Sequence, residues 1–198
     1  MTDVILSSFI SLFALFGKVE QVDEERAKKM LVNYLRHHFG IRNLDTYIGL
    51  YDDMRGAYEM SDELNTADVV NSICTNLHGK IRASEEALLL LRLMEFCGNK
   101  DGKVHSIFQM VADRFGISNS QFKNFKDFVN GTETENVMMH ELEGWNGQLK
   151  TLYDADAKVL VFTYMGEDTV LLNDVPVLSG AYQVWQQSSV LKGHNGKP

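Results

Sequence analysis

Apolar residues recur every three or four positions over the first two thirds of the chain, the spacing that places them on one face of an α-helix. Polar loops divide this pattern into segments, and a glycine stands near the end of most segments, where helices commonly stop. The pattern predicts seven helices, at about residues 3–17, 23–39, 43–55, 65–78, 84–98, 105–115 and 119–129.

After residue 130 the chain changes to short runs rich in β-branched and aromatic residues. The clearest runs are residues 158–164, 169–173 and 181–187, and turn-forming residues separate them. We therefore predict a mainly α protein, with a helical bundle at residues 1–129 and a small antiparallel β-rich domain at residues 130–198.

The strand predicted at residues 158–164 is apolar on both faces, because its alternate positions are nearly all apolar. Such a strand needs cover on both sides, which is more than a sheet of five or six strands gives itself. We expect the strands to pack partly on the bundle and to leave an apolar patch or an open sheet edge. Either feature is an association site for another chain.

The N-terminal segment is apolar on most sides, but it does not fit a signal peptide. Asp3 precedes it instead of lysines, and no small-residue cleavage site follows. It is also shorter than the roughly 20 apolar residues that span a bilayer. We predict that it forms a central helix of the bundle in a cytoplasmic protein.

Charge and cysteine content narrow the choice of partners and compartment. The formal net charge is -8 and no Lys/Arg cluster is present, so no nucleic-acid partner is expected. Cys74 and Cys97 lie in apolar helical segments and fit no zinc spacing. We interpret both as buried free thiols in a reducing compartment.

The helical part contains two similar units. The sequence Phe-Gly-Ile occurs at residues 39–41 and again at 115–117, each time after an amphipathic helix and before an aromatic-lined one. Half a bundle cannot cover its own apolar face, so we expect two units packed about a pseudo-twofold axis. Phe39 and Phe115 should then occupy equivalent buried positions.

The loop of the second unit contains Asp101-Gly102, followed by Val104. A helix, a loop of this type, an amphipathic helix and a Phe-Gly-Ile turn, occurring twice, resembles the TerB-like family, named for tellurite resistance. The resemblance covers residues 1–129. It implies a two-repeat, all-helical bundle and acidic residues for which metal binding has been proposed.

The same loop has part of the ligand spacing of an EF-hand. Asn99 and Asp101 match two calcium ligands, but Cys97 and Phe108 stand at the first and twelfth positions, where that loop needs carboxylates. An EF-hand is therefore excluded, and we interpret the loop as a structural turn.

A metal site shared between the two loops stays open as an alternative. If the loops meet in space, Asn99 and Asp101 join Asp23 and Glu24 as oxygen ligands for Ca²⁺ or Mg²⁺. In the preferred interpretation Asp23 and Glu24 are acids favoured by the helix dipole, and Asp101 is a turn residue. No cofactor is expected in that case.

The chain contains no Gly-x-Ser-x-Gly, His-Glu-x-x-His or phosphate-binding glycine motif, so we predict that it is not an enzyme. The turn from Gly166 to Asn173, placed after a TerB-like bundle, resembles the N-terminal region of certain large bacterial ABC-type ATP-binding proteins. This resemblance implies that the chain is the N-terminal part of such a protein and meets a membrane only through that larger assembly.

The predicted function is therefore a non-enzymatic cytoplasmic interaction or regulatory module. Its expected partners are another protein or further domains of the same protein, and a second copy of the chain through the β domain. The alternative is a metal-responsive stress protein of the tellurite-resistance type.

Overall fold

The computed structural model describes residues 3–61, 65–98 and 106–193. The chain forms two compact units, Met1–Ile117 and Ser118–Pro198. The described part of the first unit is helical, and that of the second unit combines one helix with seven short strands.

Helices of the first unit pack around two largely buried helices, the first and the fifth. The first helix contacts the second, third, fourth and fifth, so it lies at the centre, as the sequence predicts. The helices are α1 (Asp3–Val19), α2 (Glu24–Phe39), α3 (Asp45–Glu59), α4 (Thr66–Leu77), α5 (Ala83–Cys97) and α6 (Ser106–Arg114). Their limits agree with the predicted ones to within a few residues.

Both Phe-Gly-Ile sequences end helices in the same way. Gly40 and Gly116 have positive φ angles of 65° and 67°, a conformation that residues with a Cβ atom rarely adopt. The following N–H groups, of Ile41 and Ile117, donate back to carbonyl oxygens of the preceding helix at 3.2 and 2.9 Å. The helix stops predicted from these sequences are therefore confirmed.

The phenylalanines of the two Phe-Gly-Ile sequences are buried to different extents. Phe115 is 5% exposed, whereas Phe39 is only partly buried and lies against the rings of Phe9 and Tyr34, with centroids 5.3 and 5.2 Å away. The expectation that both phenylalanines are buried holds for Phe115 alone. The pseudo-twofold arrangement stays a prediction.

The second unit contains α7 and two antiparallel sheets. The four-stranded sheet has the order β1-β2-β3-β6, and the three-stranded sheet has the order β5-β4-β7. The elements are α7 (Asn119–Asn130), β1 (Val137–Glu141), β2 (Gly147–Asp154), β3 (Val159–Gly166), β4 (Val170–Leu172), β5 (Val175–Val177), β6 (Gln183–Trp185) and β7 (Leu191–Gly193). The predicted β-rich segment is confirmed, although residues 175–177 were expected to form a turn.

Both faces of the four-stranded sheet receive cover within this unit. On one face, Phe162 and Tyr164 of β3 form a buried cluster with Val170 and Leu191 of the second sheet. On the other face, α7 packs against β1 and β2. The compact units thus divide before α7, while the domain limits at residues 129 and 130 stay a prediction from sequence.

Candidate functional site

A group of apolar side chains lies exposed at one end of the four-stranded sheet. Tyr153 and Leu160 are directly opposite each other on β2 and β3, and Leu160 also faces Trp185 on β6. Met138 on β1 is the diagonal neighbour of Tyr153 on the same face. Met138 is 51% exposed and Tyr153 is 52% exposed, while Leu160 and Trp185 are partly exposed. We call these four residues the sheet patch.

The sheet patch begins where the cover by the second sheet ends. Trp185 packs against the edge of the cluster between the sheets, with its ring centroid 5.4 Å from that of Phe162. Its indole N–H donates to the carbonyl oxygen of Ser189 at 3.1 Å, which fixes the ring. Tyr153 and Met138 lie further out and remain half exposed. Clustered exposed apolar groups of this kind mark interaction sites.

The outer edge of β1, by contrast, is closed by the loop that precedes it. The N–H of Val137 donates to Thr134 Oγ1 at 3.1 Å, and the carbonyl oxygen of Val137 accepts from the Thr134 N–H at 2.9 Å. The N–H of Met139 donates to a carboxylate oxygen of Glu133 at 3.2 Å. These bonds use backbone groups that another strand would need. At Val137 and Met139 these edge groups of β1 are therefore already in use, and its face is the surface that we consider as a site for a partner.

A buried lysine lies on the opposite face of the sheet, beneath α7. Lys150 is 5% exposed, and its Nζ lies 4.7 Å from the ring centre of Phe128 and 5.9 Å from that of Tyr182. Burial lowers the pKa of Lys150 from its usual value. Within residues 3–61, 65–98 and 106–193 its ammonium group forms no ion pair and no hydrogen bond with another side chain or carbonyl group.

Two polar side chains, Thr163 and Asp154, lie on the same face of the sheet as Lys150. Thr163 is directly opposite Lys150 on β3, and its buried Oγ1 has no hydrogen-bond partner. Asp154 shares this face of β2, but its carboxylate accepts from Gln121 Nε2 at 2.7 Å and from two N–H groups of the following turn. Asp154 therefore holds the start of α7 against the sheet.

The sequence around Lys150 shows only that apolar residues, Leu149 and Leu152, lie on either side of it. Its burial follows from the packing of α7 on this face of the sheet. Met138 and Tyr153 likewise gave no signal in the sequence, because their exposure depends on where the second sheet ends.

Two of the four residues predicted for a metal site, Asn99 and Asp101, lie outside the described residues. Asp23 caps α2, with Oδ1 accepting from the N–H of Arg26 at 2.9 Å. This agrees with the interpretation of Asp23 as an N-terminal acid of a helix.

Glu24 forms an ion pair with Lys28 at 2.7 Å, and Lys28 also contacts Asp52 at 3.0 Å. The hydrogen bond from Lys28 lowers the pKa of Glu24. Arg26 lies beside Gly98 at the end of α5, since a Cβ atom at Gly98 would be 3.1 Å from its Nη2. The start of α2 and the end of α5 thus meet, but positive side chains accompany the acids there.

No group of three or more His, Cys, Asp or Glu side chains able to hold a metal occurs among the residues that the structure describes. The carboxylate site shared between loops stays a prediction, because half of it lies outside those residues.

Comparison of the chain with models of protein families, with curated proteins and with solved structures gives no significant match. Within the described ranges, no helix combines the length and the apolar character needed to cross a bilayer. The family resemblances of the sequence stay predictions, and the functional argument rests on the geometry described above.

Proposed function

We propose that the chain is a non-enzymatic cytoplasmic interaction module with a regulatory role in a larger assembly, and that its partner binds at the sheet patch. The observation that carries this proposal is the half exposure of Met138 and Tyr153 beside Leu160 and Trp185. Aromatic residues and methionine are the side chains that protein interfaces favour.

The sheet patch is too small to form a stable interface without further contacts. Burying the exposed parts of Met138 and Tyr153 contributes about 1–2 kcal/mol each. A stable interface covers about 800 Å² on each partner, which is more than four side chains provide. The patch therefore acts as the anchor of a wider contact.

The resemblance of residues 166–173 to bacterial ABC-type proteins supports one particular assembly. In this proposal the partner of the sheet patch is a further domain of an ABC-type ATP-binding protein, of which this chain is the N-terminal part. A separate protein and a second copy of the chain are the other partners that the same patch suits.

Site-specific photocrosslinking tests the proposal. A photoreactive phenylalanine analogue replaces Tyr153 in one variant and Met60 in a control, since Met60 is 86% exposed in the first unit. In cells of the source organism we expect a crosslinked product of fixed mass from position 153 only. Mass spectrometry then identifies the product as a further domain, a separate protein or a second copy.

The specificity of that product is checked by changing the neighbouring Met138. Met138→Ser should reduce the crosslinking yield at position 153 several-fold, because it removes apolar surface from the same patch. Met60→Ser should leave the yield unchanged. Equal crosslinking at positions 153 and 60 would contradict the proposal.

A further inference from the structure

Lys150 and Thr163 form a donor pair in the layer between α7 and the four-stranded sheet. They are directly opposite each other on β2 and β3, so their Cβ atoms are about 4.5–5.5 Å apart on the same face. Lys150 is 5% exposed and Thr163 is 1% exposed. We propose that these two residues bind a small monovalent anion, of the size of a halide ion or formate, beneath α7.

The contacts of the Lys150 ammonium group offset only part of the cost of its desolvation. Contacts with the rings of Phe128 and Tyr182 contribute about 0.5–2 kcal/mol each at most, whereas removing an ammonium ion from water costs several kcal/mol. Thr163 Oγ1 is enclosed and has no hydrogen-bond partner, whereas the Lys150 ammonium group keeps a narrow contact with solvent, through which an anion can reach it. An anion accepts from Lys150 and from the Thr163 hydroxyl at once.

The carboxylate of Asp154 does not act as the counter-ion of Lys150. The Asp154 carboxylate is held by Gln121 and by N–H groups of the β2–β3 turn. Burial lowers the pKa of Lys150, as expected for an ammonium group with no fixed counter-ion. A bound anion would raise that pKa again.

The cover above the pair limits the size of the ligand. Phe128 of α7 and Tyr182 stand over Lys150, and their rings contact each other with centroids 4.9 Å apart. We therefore propose a halide ion or formate and not a phosphate, because the smaller anions need the least room beside these rings.

Bromide identifies the site directly, because it scatters anomalously. We expect crystals of the full chain soaked in sodium bromide to show a bromide ion within about 3.5 Å of both Lys150 Nζ and Thr163 Oγ1. Crystals of Lys150→Met should lack it. A water molecule alone at this position in the bromide crystals would overturn the proposal.

Thermal unfolding shows whether binding also occurs in solution. Replacing sodium gluconate by sodium chloride at constant ionic strength should raise the unfolding midpoint by about 3 °C in the unchanged chain. Lys150→Met and the isosteric Thr163→Val should lose this shift. Lys126→Met, which changes another lysine of the same unit, should keep it.

The bromide crystals and the unfolding measurements together test whether the anion binds at Lys150 and Thr163. The same chloride-dependent shift in Lys150→Met as in the unchanged chain would overturn the proposal. A bromide peak in the crystal without any shift in solution would show an adventitious ion only, and would overturn it too. Lys150→Met replaces a buried charge by an apolar side chain of similar length, so its folding is not at risk.

Discussion

Gly17 of α1 makes room for the hydroxyl group of Tyr51 on α3. A Cβ atom at position 17 would lie 2.8 Å from the Tyr51 hydroxyl oxygen and 3.5 Å from the ring of Phe96. Tyr51 is fully buried, and its hydroxyl also accepts a hydrogen bond from Arg55 Nη1 at 3.3 Å. This glycine therefore sets how closely α1 and α3 approach.

We expect Gly17→Ala to destabilise the protein by up to about 2 kcal/mol. Alanine gains about 1 kcal/mol of helix propensity over glycine, but overpacking a well-filled contact costs about 1–3 kcal/mol. The packing cost dominates here because Tyr51 is held by Arg55 and by buried neighbours. Urea denaturation followed by circular dichroism measures the change.

Gly49→Ala is the matched control for that variant. Gly49 is exposed on α3 and a Cβ atom there would meet no atom within 4 Å. We expect this variant to gain about 0.5–1 kcal/mol. Stabilisation by both substitutions would show that α1 and α3 are not in close contact at Gly17.

Phe115→Ala and Phe39→Ala should have unequal effects. Phe115 is 5% exposed, so its removal should leave a cavity and cost about 3–5 kcal/mol. Phe39 is partly exposed, so its loss should cost about 1–3 kcal/mol. Thermal and chemical unfolding of both variants give the comparison, and equal losses would instead favour equivalent positions in two repeats.

Lys150→Met should stabilise the protein by about 1–3 kcal/mol in gluconate buffer. The substitution removes a charge whose desolvation costs more than the two ring contacts return. A stability lower than that of the unchanged chain would show that the ammonium group has a partner.

The difference in stability between the unchanged chain and Lys150→Met should change with pH in a definite direction. Because the pKa of Lys150 is lower in the folded protein than its usual value of 10.5, the unfolded chain binds the proton more tightly. The destabilisation by the charge of Lys150 is therefore fully present below the pKa of Lys150 in the folded protein. It disappears as pH rises toward 10.5. The advantage of Lys150→Met should shrink over that window, and subtracting the two curves removes the contributions that both proteins share.

We expect no tight binding of Ca²⁺ or Mg²⁺ at the loops of the first unit. Glu24 is paired with Lys28, and the guanidinium of Arg26 lies beside Gly98, so a cation would meet positive charge there. Calorimetric titration of the full chain with Ca²⁺, Mg²⁺ and Zn²⁺ measures this. Micromolar binding that disappears in Asp101→Ala would favour the metal-responsive, tellurite-resistance type of function instead.

The positions of the helices could be predicted from the amino-acid sequence. Their limits follow from the apolar period and from local stop signals, which act within one or two turns of the chain. Gly40 and Gly116 illustrate this, because a positive φ angle is required at each and glycine adopts it without strain. Strands β1, β2 and β7 lie outside the three clearest predicted runs, and β5 was missed because three residues, one of them Pro176, are too few to show a period.

The surface against which each apolar face is buried could not be predicted in the same way. Phe122, Phe125 and Phe128 predict a buried stripe on α7, but such a stripe fits a helical bundle and a sheet equally well. Its packing against β1 and β2 buries Lys150 next to Thr163, and the end of the second sheet leaves Tyr153 exposed beside Leu160. These environments arise from strand register and from layers that come together across distant parts of the chain, and local sequence patterns carry no information about either.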